Sequence, residues 1–287
     1  MRQKRSTWIA ASLAAEHSRA LLSLARDVAP WVDAVEIRLD LMGSFDLAHL
    51  LTNLPLPAIV TYRPRREGGQ YDGDEASRLL TLQRAAALGA SVIDVEWDAV
   101  DAIGDVSPAR VMVSRHFFSG MPSSPERVWV ELARLGDIVK LAAHAHTLSD
   151  ALRLCRLWSR VDKPTVLIAM GPAGVVSRLC APHFPHAFLT YGAASIDRAV
   201  APGQIDVRTM HERFHIHRIT PTTTVHAFIA PDAMASPLIP EWNRRWAQEG
   251  RDEVVLPFPI TPRDDPEHVR TMIRTLGFLP VDALSSL

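Results

Sequence analysis

Lysine is scarce in this chain. Its 287 residues hold 31 Lys and Arg together, yet only Lys4, Lys140 and Lys163 are lysines. Cysteine is nearly absent: Cys155 and Cys180 lie in amphipathic stretches and read as free, partly buried thiols in a reducing compartment. A net charge of −1 gives no long-range field, which argues against nucleic acid or an anionic membrane as partner. No apolar run approaches the roughly 20 residues that span a bilayer. The basic start, Met1 to Arg5, leads into Glu16, His17 and Arg19, so no signal peptide is expected. No Gly-rich dinucleotide turn follows a strand, and there is neither a Walker loop nor an elbow serine. His215 and His217, on a segment read as extended, have no Cys, Asp or Glu to complete a metal set, so neither cofactor nor metal is expected.

Through about residue 215, short apolar runs alternate with helical periodicity. Strands are predicted at 8–14, 34–39, 58–62, 92–96, 110–114, 138–142, 165–170 and 187–191. Helices are predicted at 18–28, near 47–51, up to 88, at 125–135, 149–158, 174–180 and 206–214, with a weak helix or turn near Ala99. Strands that are almost continuously apolar belong to a parallel sheet covered on both faces. Eight strand–helix units predict an α/β fold, a closed (β/α)8 barrel of the TIM type.

Catalytic groups in such a barrel sit where strands end. Here those positions hold Glu36, Arg38, Arg63, Glu67, Glu96, Ser114, His116, Arg178 and Gln204, with Lys140 inside the sixth strand. Only Lys, not Arg, can lose its proton and attack a carbonyl. Burial favours the neutral amine, so Lys140 can form an imine whose protonated state acidifies the adjacent carbon. His116 is the favoured base, with His144 and His146 left as alternatives. Glu67 can orient an imidazole or pair with Arg66. The loop Gly171–Gly174 and Arg178 suit a carboxylate, with Gln204 adding an amide.

These motifs resemble the type I 3-dehydroquinate dehydratases. The resemblance runs through Glu36-Ile37-Arg38-Leu39-Asp40, Arg63 with Glu67-Gly68-Gly69, Ser114-Arg115-His116, Ile138-Val139-Lys140, Met170-Gly171 to Arg178, and Ala201-Pro202-Gly203-Gln204. It implies loss of water from 3-dehydroquinate to give 3-dehydroshikimate. Lys140 would form the imine, His116 would be general acid and base, and Glu67 would orient it. Arg178 and Gln204 would hold the carboxylate, while Glu36, Arg38 and Arg63 meet hydroxyls and developing charge. Two positions depart from the family pattern: Phe117 replaces an acidic residue, and Val200 replaces a Ser.

The barrel is assigned to residues 1–216 and an appendage to 217–287. The appendage reads as a small βαβ unit: strands at 225–230 and 253–258, and a helix at 240–249 bearing Trp242 and Trp246. It is expected to pack on the barrel or on a second subunit. It also resembles part of a shikimate dehydrogenase substrate domain, through Ser236-Pro237-Leu238 and Val255-Leu256-Pro257-Phe258, and reads as a truncated remnant without dehydrogenase activity. The expected whole is a cytoplasmic homodimeric hydro-lyase with 3-dehydroquinate as its small-molecule partner. The rival readings are a non-catalytic sensor of such ligands and another imine-forming barrel lyase.

Overall fold

The structure, a computed structural model, describes residues 7–195, 197 and 203–282. Eight parallel strands form one sheet: β1 (Trp8–Leu13), β2 (Ala34–Arg38), β3 (Ala58–Thr61), β4 (Val92–Glu96), β5 (Arg110–Phe117), β6 (Ile138–His144), β7 (Thr165–Met170) and β8 (Leu189–Ala193). They pair in order from β7 back to β1, and β1 then pairs with β8, Ala10 opposite Tyr191. The β7–β8 seam is held at its base by a parallel bridge between Thr165 and Ala187. The result is a nearly closed (β/α)8 barrel, the expected fold.

Seven helices follow strands: α1 (Ser18–Val28), α2 (Leu47–Asn53), α3 (Glu75–Ala87), α4 (Pro125–Leu132), α5 (Leu148–Cys155), α6 (Val175–Leu179) and α7 (Val207–Glu212). Between β4 and β5 there is only a 3-10 turn, Val100–Ala102, where the sequence predicts a weak helix or turn. Side-chain alternation along each strand sorts the core into two layers. Outward residues such as Leu13, Ile37, Val95 and Leu141 join the helices in one large cluster. Inward residues, including Ala10, Ile59, Met112, Ile138, Val166 and Leu189, plug the barrel floor. Above that plug the inward positions turn polar. This change along a strand, rather than around it, is what places the site. Cys155 and Cys180 are free and wholly buried, more so than the sequence reading assumed. Lys163 spends its ammonium on the Ala133 and Gly136 carbonyls just past α4, at 2.7 and 2.6 Å.

Residues beyond the barrel form a second parallel sheet: β9 (Thr224–Ala230), β10 (Glu253–Pro259) and β11 (Leu279–Val281), in the order β10-β9-β11. Helices α8 (Leu238–Gln248) and α9 (Pro266–Thr275) connect them. This unit is βαβαβ rather than βαβ, because α9 and β11 were not anticipated. It packs on the barrel. The Asp264 carboxylate accepts from the backbone amides of Leu148 and Ser149 and from the Ser149 hydroxyl, at 3.1, 2.8 and 2.7 Å, capping α5 from outside. Phe278 stacks edge-on against His183 and Phe184, and Trp246, Phe258 and Phe278 belong to the same apolar cluster as the barrel helices. His215 has φ of 48° and opens a 3-10 turn, Ile216–Arg218, so the segment read as extended is coiled.

Candidate active site

The polar layer closes on itself around Lys140. In register, Lys140 of β6 lies beside Ser114 of β5, and Ser114 lies beside Glu96 of β4. The Lys140 ammonium is 5% exposed and donates to Asp94 Oδ2 at 2.7 Å and Glu36 Oε1 at 3.3 Å. It also lies 4.7 Å from the centre of the Tyr191 ring. Glu36 accepts from the Ser12 hydroxyl and, at 3.0 Å, from Thr61. Arg63 is bound on both arms, to Asp94 at 2.7 Å and to Glu96 and Ser114 at 2.6 Å each. Arg78, from α3, completes the set with Glu96 at 2.7 Å.

Those contacts balance: Glu36, Asp94 and Glu96 oppose Lys140, Arg63 and Arg78. Buried charge is tolerated only when so paired. Burial pushes the Glu36 carboxyl up, but the Lys140 and Arg38 charges outweigh it and hold it below its usual range. Asp94 is likewise raised by burial but pulled far down by Arg63 and Lys140. Both are therefore anions beside Lys140.

His116 stands next above Ser114 on the inner face of β5. Its Nδ1 is 2.9 Å from Glu67 Oε2, and its backbone N–H donates to the same oxygen at 2.9 Å. Glu67 comes from a 3-10 turn, Arg65–Glu67, which ends at Gly68 with φ of 77°. A Cβ on Gly69 would lie 2.0 Å from the Arg63 carbonyl, so only glycine passes there. Asp40 ties this loop to β2: it takes two hydrogen bonds from Arg38, at 2.9 and 2.7 Å, and one each from the Arg63 and Gln70 amides. Arg66 instead pairs with Asp98 and Glu75, which leaves Glu67 to His116. Burial pushes Glu67 up to about 7, against the His116 amide and the Arg63 charge. Burial, then the Arg63 and Lys140 charges, push His116 well below its usual range. The imidazole is thus neutral, able to accept a proton.

A cavity of about 170 Å³ opens above this layer. It is lined by Glu36, Arg38, Arg63, Glu67, His116, Lys140, Arg178 and Gln204 together, the eight residues to which the family resemblance gives a catalytic or substrate-binding role. Arg178 is 2% exposed, and no carboxylate pairs with it among the described residues. Burial lowers its pKa to about 10, only partly offset by Glu36. It sits in the last turn of α6. Glu96 does not line the cavity; Arg63 and Arg78 occupy it from below.

Of the two departures, Phe117 points away from the cavity, its ring 5.0 Å from Arg115. Val200 lies outside the described residues, as do Ala201 and Pro202. Sequence reasoning missed Asp94, Ser12, Asp40 as a loop tie, Tyr191 and Phe118. Asp94 carried a usable signal: an acid in mid-strand within Val92–Glu96, facing inward with Glu96. Among the described residues no group of three or more His, Cys, Asp or Glu side chains could hold a metal ion, and no helix is long and apolar enough to cross a membrane.

A 3-dehydroquinate dehydratase of Methanothrix thermoacetophila is 33% identical over 206 residues, covering 70% of this chain and 88% of the relative. The chloroplastic bifunctional 3-dehydroquinate dehydratase/shikimate dehydrogenase of Arabidopsis thaliana is 36% identical over 211 residues. That match takes in 69% of this chain but only 35% of the plant protein. The crystal structure of the Geobacillus kaustophilus 3-dehydroquinate dehydratase superposes with a TM-score of 0.61 at 26% identity, over 71% of this chain and 89% of that one. An S. pombe dehydroquinate dehydratase and shikimate dehydrogenase structure shares the fold over 94% of this chain and 55% of its own length, with a TM-score of 0.63 and 23% identity. That likeness therefore extends into the second sheet. The type I 3-dehydroquinase family model matches residues 9–221, and the chain accordingly belongs to the type I 3-dehydroquinases, hydro-lyases of the shikimate pathway.

Proposed function

We propose that the chain dehydrates 3-dehydroquinate to 3-dehydroshikimate through an imine on Lys140. The observation that carries this reading is one buried amine and one oriented, neutral imidazole lining the same small cavity. The Lys140 nitrogen adds to the ketone carbon, and water leaves as the carbon–nitrogen double bond forms. The protonated imine carries the positive charge that the ammonium carried before. Asp94 and Glu36, already poised at 2.7 and 3.3 Å, stabilise it without rearrangement.

His116 then takes a proton from the carbon beside the imine, and the electron pair flows to nitrogen. The charge arising on the imidazole is met by Glu67, bound to the opposite ring nitrogen. The enamine expels the β-hydroxyl, which leaves as water with the proton that His116 returns. A second water hydrolyses the conjugated imine and restores Lys140. Arg178, a buried guanidinium with no carboxylate partner among the described residues, is the natural seat of the substrate carboxylate, with Gln204 beside it. Glu36, Arg38 and Arg63 face the ring hydroxyls and line the rest of the cavity.

Enone absorbance followed on addition of 3-dehydroquinate tests turnover, and borohydride reduction in its presence tests the imine. A ligand-derived mass increase on the peptide holding Lys140 is expected. Binding without enone formation would instead favour a sensor. Full turnover by a Lys140→Arg variant would eliminate the imine route.

A further inference from the structure

A second imidazole faces the cavity. His144 ends β6, two inward positions above Lys140, and its ring joins the cavity lining beside Met170 and Gln204. It is held from behind by His146, ring centres 4.6 Å apart and edge-on, and His146 in turn binds the Ser119 carbonyl through Nε2 at 3.3 Å. Gly171, with φ of 90°, makes room for it. A Cβ there would stand 3.2 Å from His144 Cε1 and 3.6 Å from its Nε2. The Gly171 carbonyl lies against Gly203, next to Gln204. His144 therefore shares one corner of the cavity with Gln204. Among the described residues neither of its ring nitrogens has a hydrogen-bond partner.

We infer that His144 is a specificity-determining residue whose ring N–H hydrogen-bonds a substrate oxygen at the Gln204 corner. The inference rests on the substrate reading above. His144 is not a second general base: His116 has Glu67 to fix its tautomer and absorb its charge, whereas no carboxylate touches His144 among the described residues. A contact made equally in the ground state and the transition state raises KM when removed and leaves kcat alone.

His144→Phe keeps a ring against His146 but removes both nitrogens. KM for 3-dehydroquinate is expected to rise roughly three- to tenfold, the weight of one hydrogen bond, with kcat nearly unchanged. His144→Gln, which returns an amide donor, should recover most of the loss. In the Lys140→Met background, where no imine forms, calorimetric affinity for 3-dehydroquinate should fall by the same factor on adding His144→Phe. An unchanged KM and affinity in a folded His144→Phe protein overturns the inference, as does a fall in kcat at constant KM. Should the parent protein bind 3-dehydroquinate without turning it over, the imine reading fails. The calorimetric arm still decides the role of His144, and absence of any binding overturns both.

Discussion

At the scale of single residues, the site is a charge-balanced layer capped by a neutral imidazole and the carboxyl that orients it. Removing one member should cost most where the remaining charges are buried. Asp94→Asn leaves Lys140 and Arg63 both short of a counter-charge and is expected to destabilise the fold by roughly 3–5 kcal/mol, read from chemical denaturation. Lys140→Met should reduce kcat on the order of 10⁴-fold or more and abolish the reducible adduct. The Glu67 carboxyl, raised to about 7, sets the low-pH limb: kcat/KM should climb as pH rises through about 7, where the carboxylate forms. In Glu67→Gln that limb should vanish and kcat fall by roughly a hundredfold or more. Most of this was legible, because a Lys in an apolar strand and a His at a strand end are unusual placements. Asp94 was only half legible: an acid inside Val92–Glu96 is a signal, but its partners emerge only once β4 is known to lie beside β3, which leads to Arg63, and two strands from β6, which carries Lys140.

At the scale of elements, the apolar runs marked the strand starts closely, with β4 and β7 predicted to the residue and β8 set two residues early. Strand ends were harder. β5 runs on through Phe117 and β6 through His144, because the ladder continues there while His116 and His144 still point inward. Hydropathy alone reads such residues as loop. Helix α9 escaped because its apolar stripe is narrow, only Val269, Met272 and Ile273 being buried, and β11 because it is three residues long and contains Pro280. The Asp264 cap joins the second unit to α5, which directly follows the strand bearing Lys140. Asp264→Ala removes three hydrogen bonds to α5 and its N-terminus and should cost about 1 kcal/mol. That corresponds to a drop of roughly 2–4 °C in Tm, with little change in kcat.

For the whole molecule, the division near residue 216 marks a change of sheet, and we propose that it is not a change of core. The aromatic contacts from Phe278 to His183 and Phe184 bind the two sheets through one apolar cluster. Thermal unfolding should therefore show a single transition, and two resolved transitions would separate the units. Its pH dependence follows from the buried acids. Glu36 and Asp94, held below their usual 4.5 and 3.8, contribute stability at higher pH that is lost as pH falls through their lowered values. Glu67 works in the opposite sense. Its folded value is raised, so its ionisation costs stability as pH rises from about 4.5 to about 7. Glu67→Gln should thus raise Tm above pH 7, and the gain should disappear below about 4.5.

The engagement of Lys163 with two backbone carbonyls has a practical corollary. Of three side-chain amines in the chain, one is tied up at the end of α4, one lies at the extreme N-terminus, and the third sits in the barrel. Among the described residues, reagents that seek amines will meet only Lys163, half-buried with its ammonium already hydrogen-bonded, and Lys140 inside the barrel. A label delivered by the substrate itself will therefore be simple to assign by intact-mass and peptide measurement.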